Sequence, residues 1–365
     1  MRVLALMKYG ARAASTRQRL LQYRPYLAEH GVEIEVSPLL DDDHIRGLSE
    51  GRKARPLSIL AAYVRRIGVL LQAARYDVVW VHCEVFPYLP GFLEQSVGLA
   101  GRPVILDFDD AIFHGYDRHA NPIIRRFLGR KLVGLMRDAF VCICGNAYLQ
   151  AYASQHTKNA IVVPTVVDTS VYVPAEDDAS PERRVVGWIG SPSTWAGHLK
   201  PLLPTLLPML RENGAVLKVV GAGPDAQGIE GIESVDWSEA AEVAAIQGMD
   251  VGIMPLPDDD WARGKCGYKL IQYMACGLPV IASPVGVNSQ IVEHGISGFL
   301  AEGQSEWAAA LARLLADPSL RHSMGRAGRD RVVAQYSLAS QKAVILDQLR
   351  AAAGQGRRAR ATAPG

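Results

Sequence analysis

Trp261-Ala-Arg-Gly-Lys-Cys-Gly-Tyr-Lys-Leu-Ile-Gln-Tyr-Met-Ala-Cys-Gly-Leu-Pro-Val-Ile-Ala-Ser283 holds, in one stretch, a helix, its stop and the strand that follows. Leu270, Ile271, Met274 and Ala275 fall on one helix face, and Gly277 is placed to close the helix in the left-handed conformation. Pro279 then opens an apolar run of strand length. The same alternation extends outward in both directions. In the same half lie Val185-Val-Gly-Trp-Ile189, Val216-Leu-Lys-Val-Val220 and Val251-Gly-Ile-Met254, with helical patterns at 307–316 and 337–352. The N-terminal half repeats the theme with strand-like runs at 3–7, 32–36, 76–81, 103–107, 141–144 and 160–163 and helical patterns over 16–30 and 57–71. Apolar strands alternating with amphipathic helices predict parallel sheets covered on both faces. The expected fold class is α/β, with two doubly wound parallel sheets facing across a cleft.

At 365 residues the chain exceeds the usual size of one hydrophobic core, so two domains are expected. Pro174-Ala-Glu-Asp-Asp-Ala-Ser-Pro-Glu-Arg-Arg184 is polar and carries two prolines, which is linker chemistry. The division read from these signals is an N-terminal domain over 1–173, a linker over 174–184 and a C-terminal domain over 185–336. A closing helix over 337–352, packing back on the N-terminal domain, and a disordered tail over 353–365 complete it.

A content of 49% hydrophobic and 21% charged residues excludes a disordered chain, and a net charge of +2 gives no footprint for nucleic acid. The five cysteines, Cys83, Cys142, Cys144, Cys266 and Cys276, are odd in number and sit in apolar surroundings, which points to buried thiols in a reducing cytoplasm. The spacing of Cys142 and Cys144 is poor for a structural metal. The first apolar run is too short for a signal peptide, and no stretch approaches the roughly 18 apolar residues of a spanning helix. The expectation is a soluble or peripheral protein.

Ligands of doubly wound sheets bind beyond the carboxyl ends of the strands. Three loops qualify. The first is Lys8-Tyr-Gly-Ala-Arg-Ala-Ala-Ser-Thr-Arg17, where Gly10 permits a tight turn and Ser15 or Thr16 can cap the next helix. Arg12, Arg17 and Arg19 suit an anionic or hydroxyl-rich ligand there, or form a solvated basic face. The second is Gly187-Trp-Ile-Gly-Ser-Pro-Ser-Thr-Trp195, in which Gly190 and Ser191 allow close approach of a phosphate ahead of a helix starting near His198. The alternative there is a plain turn. The third is the opening stretch, where Arg263, Lys265 and Lys269 gather at a helix start and the dipole disfavours cations by roughly 0.3–1 kcal/mol each. An anion between them, a diphosphate by size and charge, offsets both penalties; a solvated basic turn is the alternative.

Gln272-Tyr-Met-Ala-Cys-Gly-Leu-Pro-Val-Ile-Ala-Ser283 and Ile291-Val-Glu-His-Gly-Ile-Ser-Gly-Phe-Leu300 closely resemble glycosyltransferase family 4. The likeness extends more weakly to Gly187–Gly190, to Val163-Pro-Thr-Val-Val-Asp168 and to the N-terminal strands. It implies a GT-B fold of two Rossmann-like domains. It also implies retaining transfer of a sugar from a nucleotide-diphosphate donor, without a metal or other cofactor, to a saccharide or lipid-linked acceptor in cell-surface glycan synthesis. The acceptor is assigned to the N-terminal domain and the nucleotide sugar to the C-terminal one. Departures accompany the match. Where the family carries two glutamates eight positions apart, this chain has Gly264 and Gln272, and a later glutamate reads Gln290. Gln272 retains one acceptor and one donor for a ribose, whereas Gly264 retains nothing for a sugar.

Leu106-Asp-Phe-Asp-Asp-Ala-Ile-Phe-His114 stands where the family has a histidine–aspartate pair reaching the donor sugar. Asp109 and Asp110 are the catalytic candidates here, holding sugar hydroxyls or accepting a proton; a helix cap with an ion pair to Arg118 or Arg125 is the alternative. Gly10, Arg17, His82 and His114 complete the acceptor-side set, with Glu84 at the end of the same strand as His82. No metal site is assigned, binding of a metal by the acidic cluster being a minor alternative.

Residues 46–75 carry seven Lys or Arg against one acidic residue, and 118–137 carry six against none. Basic amphipathic helices lie on anionic membranes, so peripheral binding to an inner-membrane surface is one expectation and sheet-covering helices with solvated faces the other. A sugar-nucleotide epimerase or hydrolase, and a non-catalytic partner subunit, are the competing functions. A nicotinamide dehydrogenase is weaker, since no GxGxxG follows the first strand.

Overall fold

The computed structural model describes residues 1–43, 47, 56–176 and 183–361, so the middle of the expected linker and the basic residues 52–55 lie outside the described part. The chain divides into two compact units. The first comprises Met1–Thr165, Gly264–Cys266 and Gln341–Gly365, and the second Val166–Arg263 and Gly267–Ser340.

The first unit is built on β1 (Arg2–Tyr9), β2 (Glu33–Leu40), β3 (Val78–His82), β4 (Val104–Phe108), β5 (Val141–Cys144) and β6 (Ala160–Val162). They form one sheet in the order β2-β1-β3-β4-β5-β6, parallel throughout. The central strands β3, β4 and β5 are buried at every position, which is why they read as apolar runs interrupted only by His82 and Asp107 near their ends. β2 lies at the edge, and its Glu33 and Glu35 point to solvent while Ile34 is buried, so its sequence alternates. The helical pattern at 16–30 is realised in pieces: Ala14–Arg19, a 3₁₀ turn at Leu21–Tyr23, and Arg24–Glu29. Pro25 explains the break, because it starts a helix and cannot sit within one.

The second unit contains β7 (Arg184–Ile189), β8 (Ala215–Val220), β9 (Ile232–Val235), β10 (Val251–Met254), β11 (Val280–Ala282) and β12 (Gly298–Leu300). Their order is β12-β11-β10-β7-β8-β9, again parallel. β9 and β12 lack sequence signals because they are short edge strands, and β9 buries neither face fully. The closing helix runs Leu338–Ala361, so 353–361 are helical and correct the expectation of an irregular tail. The alanines and arginines of that stretch are strong helix formers, and Ala352 and Ala353 are buried.

Sheet order locates the ligand crevices. In each sheet the chain reverses its direction of winding once, between β1 and β3 in the first and between β7 and β10 in the second. Loops leaving the carboxyl ends of those neighbouring strands part to either side and leave a crevice.

Candidate functional site

In the second unit the crevice lies between the loops that follow β7 and β10. Gly190 leaves β7 under the Trp188 ring, and a Cβ at Gly190 would collide with that ring. Gly221, at φ +82°, closes the neighbouring loop, where a Cβ would meet the Gly190 carbonyl at 2.6 Å. Gly221 is required by close approach of the two loops, and Gly190 by the Trp188 ring and Thr194 of its own segment. Ser191 caps a turn at Pro192–Thr194, its hydroxyl accepting from the Thr194 amide, and a π-helical turn at Trp195–Leu199 follows. The helix thus begins six residues ahead of His198, because the capping box and Pro192 set its start.

The three cations separate. Arg263 ends the short helix Asp260–Arg263, where the dipole favours it, and makes a two-pronged pair with Asp258 at 2.7 and 3.0 Å. Its charge is already met, which corrects its reading as a cation awaiting an anion. Lys265 lies between helices, with its carbonyl accepting from Asn146 Nδ2 at 2.9 Å. Lys269 alone opens a helix, Tyr268–Ala275, and its ammonium lies 5.7 Å from the centre of the Trp188 ring.

Gln272 is buried in a polar chain that its sequence did not announce. Its Nε2 donates to Tyr172 Oη at 3.0 Å, Tyr172 donates to Glu242 Oε2 at 2.5 Å, and Trp237 Nε1 donates to Glu242 Oε1 at 2.8 Å. Burial and the Glu242 carboxylate hold the Tyr172 hydroxyl well above its usual pKa, so it stays a donor. Trp237 follows the unrecognised strand β9, and that is why this group was missed.

In the first unit the β1–β3 crevice is lined by charge. Glu84 is buried and receives Lys131 Nζ at 2.8 Å, Lys8 Nζ at 3.2 Å and the Tyr116 hydroxyl at 2.6 Å. Burial alone would raise the Glu84 carboxyl; Lys131 and Lys8 outweigh it and hold it below the usual range. Lys131 also pairs with the buried Glu94 at 2.9 Å, so it belongs to the interior and not to a basic surface. Arg66 likewise turns inward, donating to the Met7 and Ser37 carbonyls.

Arg19, expected either to meet an anionic or hydroxyl-rich ligand or to lie on a solvated basic face, is buried against Asp107 at 2.6 Å, and Trp80 Nε1 donates to the same carboxylate at 3.3 Å. Gly10 packs against Asp42, whose carboxylate a Cβ would strike. Arg17 folds back on its own loop, donating to the Ala11 and Arg12 carbonyls. Neither Ser15 nor Thr16 caps the helix: it starts at Ala14, and the Thr16 hydroxyl donates to the Tyr9 carbonyl at 2.9 Å. His114 spends both ring nitrogens locally, on Asp117 and Tyr148 at 2.8 Å each.

His82 and Asp109 meet across the ends of β3 and β4, Nε2 to Oδ1 at 3.0 Å. Burial would lower the imidazolium, but its acidic neighbours Cys83 and Asp109 outweigh burial and hold the ring well above its ordinary pKa. Burial would raise Asp109, and His82 outweighs it and keeps the carboxyl well below its usual range. Asp110 follows with its carbonyl accepting from the Ile112 amide at 2.8 Å. Gly264 packs against Ala111 in the same unit. A Cβ there would collide with the Ala111 Cβ and lie 2.9 Å from its backbone nitrogen, so no side chain fits. That geometry explains the missing glutamate.

The model of the family described as glycosyl transferases group 1 matches residues 183–317. A D-inositol 3-phosphate glycosyltransferase of Kribbella flavida is 32% identical over 337 residues, covering 77% of this chain and 73% of its own. A GDP-mannose-dependent phosphatidylinositol monomannoside mannosyltransferase of Mycobacterium tuberculosis is 30% identical over 40% of this chain and 43% of its own. Among solved structures, Anabaena HepE in complex with UDP-glucose superimposes with a TM-score of 0.71 at 18% identity, covering 96% of this chain and all of that one. Sucrose-phosphate synthase from Thermosynechococcus elongatus does so at 0.69 and 17%, covering 96% of this chain and 98% of its own. Both share the fold of this chain over nearly its whole length. The chain belongs to the glycosyl transferases of group 1 and has the GT-B fold.

Proposed function

We propose that the second unit binds a nucleotide-diphosphate sugar and that the sugar passes, with retention, to a hydroxyl of a saccharide or lipid-linked acceptor held by the first. The observation that carries the donor assignment is the crevice between β7 and β10, where the close-packed Gly190 loop adjoins Lys269 above Trp188. A diphosphate there meets Ser191 and Lys269, and Gln272 offers its amide to a ribose. Arg263, already paired, contributes no net charge.

The C1–phosphate bond breaks as the C1–acceptor oxygen bond forms, and the acceptor proton leaves with the diphosphate. Asp109, its pKa depressed by His82, is too weak a base to take that proton and suits a hydrogen bond to a sugar hydroxyl. Stabilising the departing diphosphate is then the main catalytic task. Thermal unfolding across UDP-, GDP-, ADP- and dTDP-sugars tests the donor site. One nucleotide at 100 times its Kd is expected to add about 2.7 kcal/mol, and Lys269→Ala to remove most of that shift. If no nucleotide stabilises the chain, the partner-subunit reading takes over.

A cell-surface acceptor is supported by one further feature. Helix Pro56–Leu71 turns Leu57, Leu60, Val64, Ile67 and Leu71 to solvent, the end residues 80% and 81% exposed. Spacings of three and four put them in one stripe. Ile123 and Phe127 of helix Pro122–Leu128 are also exposed, beside the exposed Arg125 and Arg126. An apolar stripe on a unit that also exposes Arg125 and Arg126 fits an anionic lipid layer, and each inserted leucine contributes about 1.5–3 kcal/mol. The relative named for phosphatidylinositol monomannoside supports an acceptor of that kind, and the one named for D-inositol 3-phosphate supports a soluble acceptor instead. Vesicles containing anionic lipid are expected to pellet the chain, and Leu57→Ser with Leu60→Ser and Leu71→Ser to abolish pelleting. Failure to bind at any salt concentration discards the membrane.

A further inference from the structure

His82, Cys83 and Asp109 bring one imidazole, one thiol and one carboxylate together in the first unit, with their ligand atoms within 4.8 Å of one another. His82 Nε2 lies 3.0 Å from Asp109 Oδ1, and Cys83 Sγ lies 3.6 Å from each. We propose that this triad is a binding site for a divalent transition ion of the zinc type. Zinc bonds nitrogen and oxygen at about 2.0–2.2 Å and sulfur at about 2.3 Å. An ion at those distances reaches all three ligand atoms from one side of the observed triangle, without displacement of any of them. Three protein ligands of mixed N, S and O type leave one coordination position open, as zinc sites that bind water or a substrate oxygen do.

The backbone supports the assignment independently. Cys83 has φ +66°, a left-handed conformation that only a minority of non-glycine residues adopt and that costs on the order of 1–3 kcal/mol. The strain is held by the Cys83 amide donating to the Asp107 carbonyl at 2.8 Å. The result is a thiol placed beside the ring that precedes it. His82 and Cys83 are buried, and the Asp109 side chain, 14% exposed, forms the open side. A cation displaces the thiol proton and the proton on His82 Nε2, both to solvent, and takes over the charge compensation that His82 gives Asp109. Occupancy withdraws Asp109 from any sugar hydroxyl, so the ion opposes the role given to Asp109 above; the binding itself does not depend on that role.

Cobalt(II) titration of the full, reduced chain tests the site by spectroscopy. One equivalent is expected to raise an intense thiolate-to-cobalt band in the near ultraviolet, which zinc then bleaches. Cys83→Ser is expected to abolish the band, and Cys266→Ser, whose thiol contacts the Asp109 carbonyl, to keep it. Asp109→Asn is expected to weaken cobalt binding at least about tenfold. If Cys83→Ser does not fold, as judged by circular dichroism, Asp109→Asn decides. No band with the native chain, a band that survives Cys83→Ser, or unchanged affinity in Asp109→Asn overturns the proposal.

Discussion

Asp107→Ala is expected to destabilise the first unit by about 3–5 kcal/mol, the penalty for leaving a buried charge without its partner. Arg19 is 2% exposed, and its Nε and Nη2 both donate to Asp107. Without the carboxylate only Nη1 keeps partners, the Val163 carbonyl at 2.9 Å and the Thr165 hydroxyl at 3.4 Å. Trp80 Nε1 loses its acceptor as well. For a unit of this size each kcal/mol lowers Tm by roughly 2–4 °C, so a fall on the order of 10 °C is expected in a thermal melt of the full chain. Replacing both partners with apolar residues, Arg19→Met with Asp107→Leu, is expected to recover most of that loss, because desolvation of the pair offsets much of its attraction. A single variant as stable as the native chain, or a double variant no better than the single, contradicts this account of the pair.

The pair illustrates where sequence reading stops. Arg19 and Asp107 are 88 positions apart, and nothing in either local pattern marks one as the partner of the other. Lys131 counted toward a basic surface for the same reason, although it sits between Glu84 and Glu94. Elements buried on both faces were legible: β3, β4, β5 and β10 read as apolar runs, interrupted only by His82 and Asp107, because no face meets water. The edge strands β9 and β12 were not, since β9 alternates half-buried and exposed positions and β12 is three residues long, although the equally short edge strand β6 was. At the site, the positions of Gly190 and Lys269 beyond strand ends followed from the alternation, and Gln272 came from the family resemblance. Their partners did not, because Tyr172 and Glu242 are brought to Gln272 by tertiary packing across 100 and 30 positions. The departures at Gly264 and Gln272 were visible as letters, and their causes only as contacts.

Gln272→Glu, which restores the glutamate the family carries, is expected to harm this chain. Gln272 donates to Tyr172 Oη, and the Tyr172 proton is already committed to Glu242. A carboxylate in place of the amide sets two acceptors against one hydroxyl. Either the new carboxylate takes up a proton or Glu242 loses the Tyr172 donor and keeps only Trp237. A buried acceptor left without its donor costs about 1–3 kcal/mol, more when it is charged. Burial and a neighbouring carboxylate both raise the folded-state pKa of the new acid above its unfolded value. The penalty is therefore absent below the unfolded pKa, grows as pH rises through the folded pKa, and is complete above it. Melts of the single variant are expected to approach the native chain at about pH 4 and to fall furthest below it at about pH 8. Glu242→Gln added to Gln272→Glu supplies the missing donor: the Tyr172 proton turns to the introduced carboxylate, and the introduced amide accepts from Trp237 and donates to Tyr172. A coupling energy of at least about 1 kcal/mol, with the sign of rescue, is expected from the four melts. Independent, additive losses show instead that Gln272 and Glu242 do not share the Tyr172 proton, and then the absent glutamate has no explanation in this network.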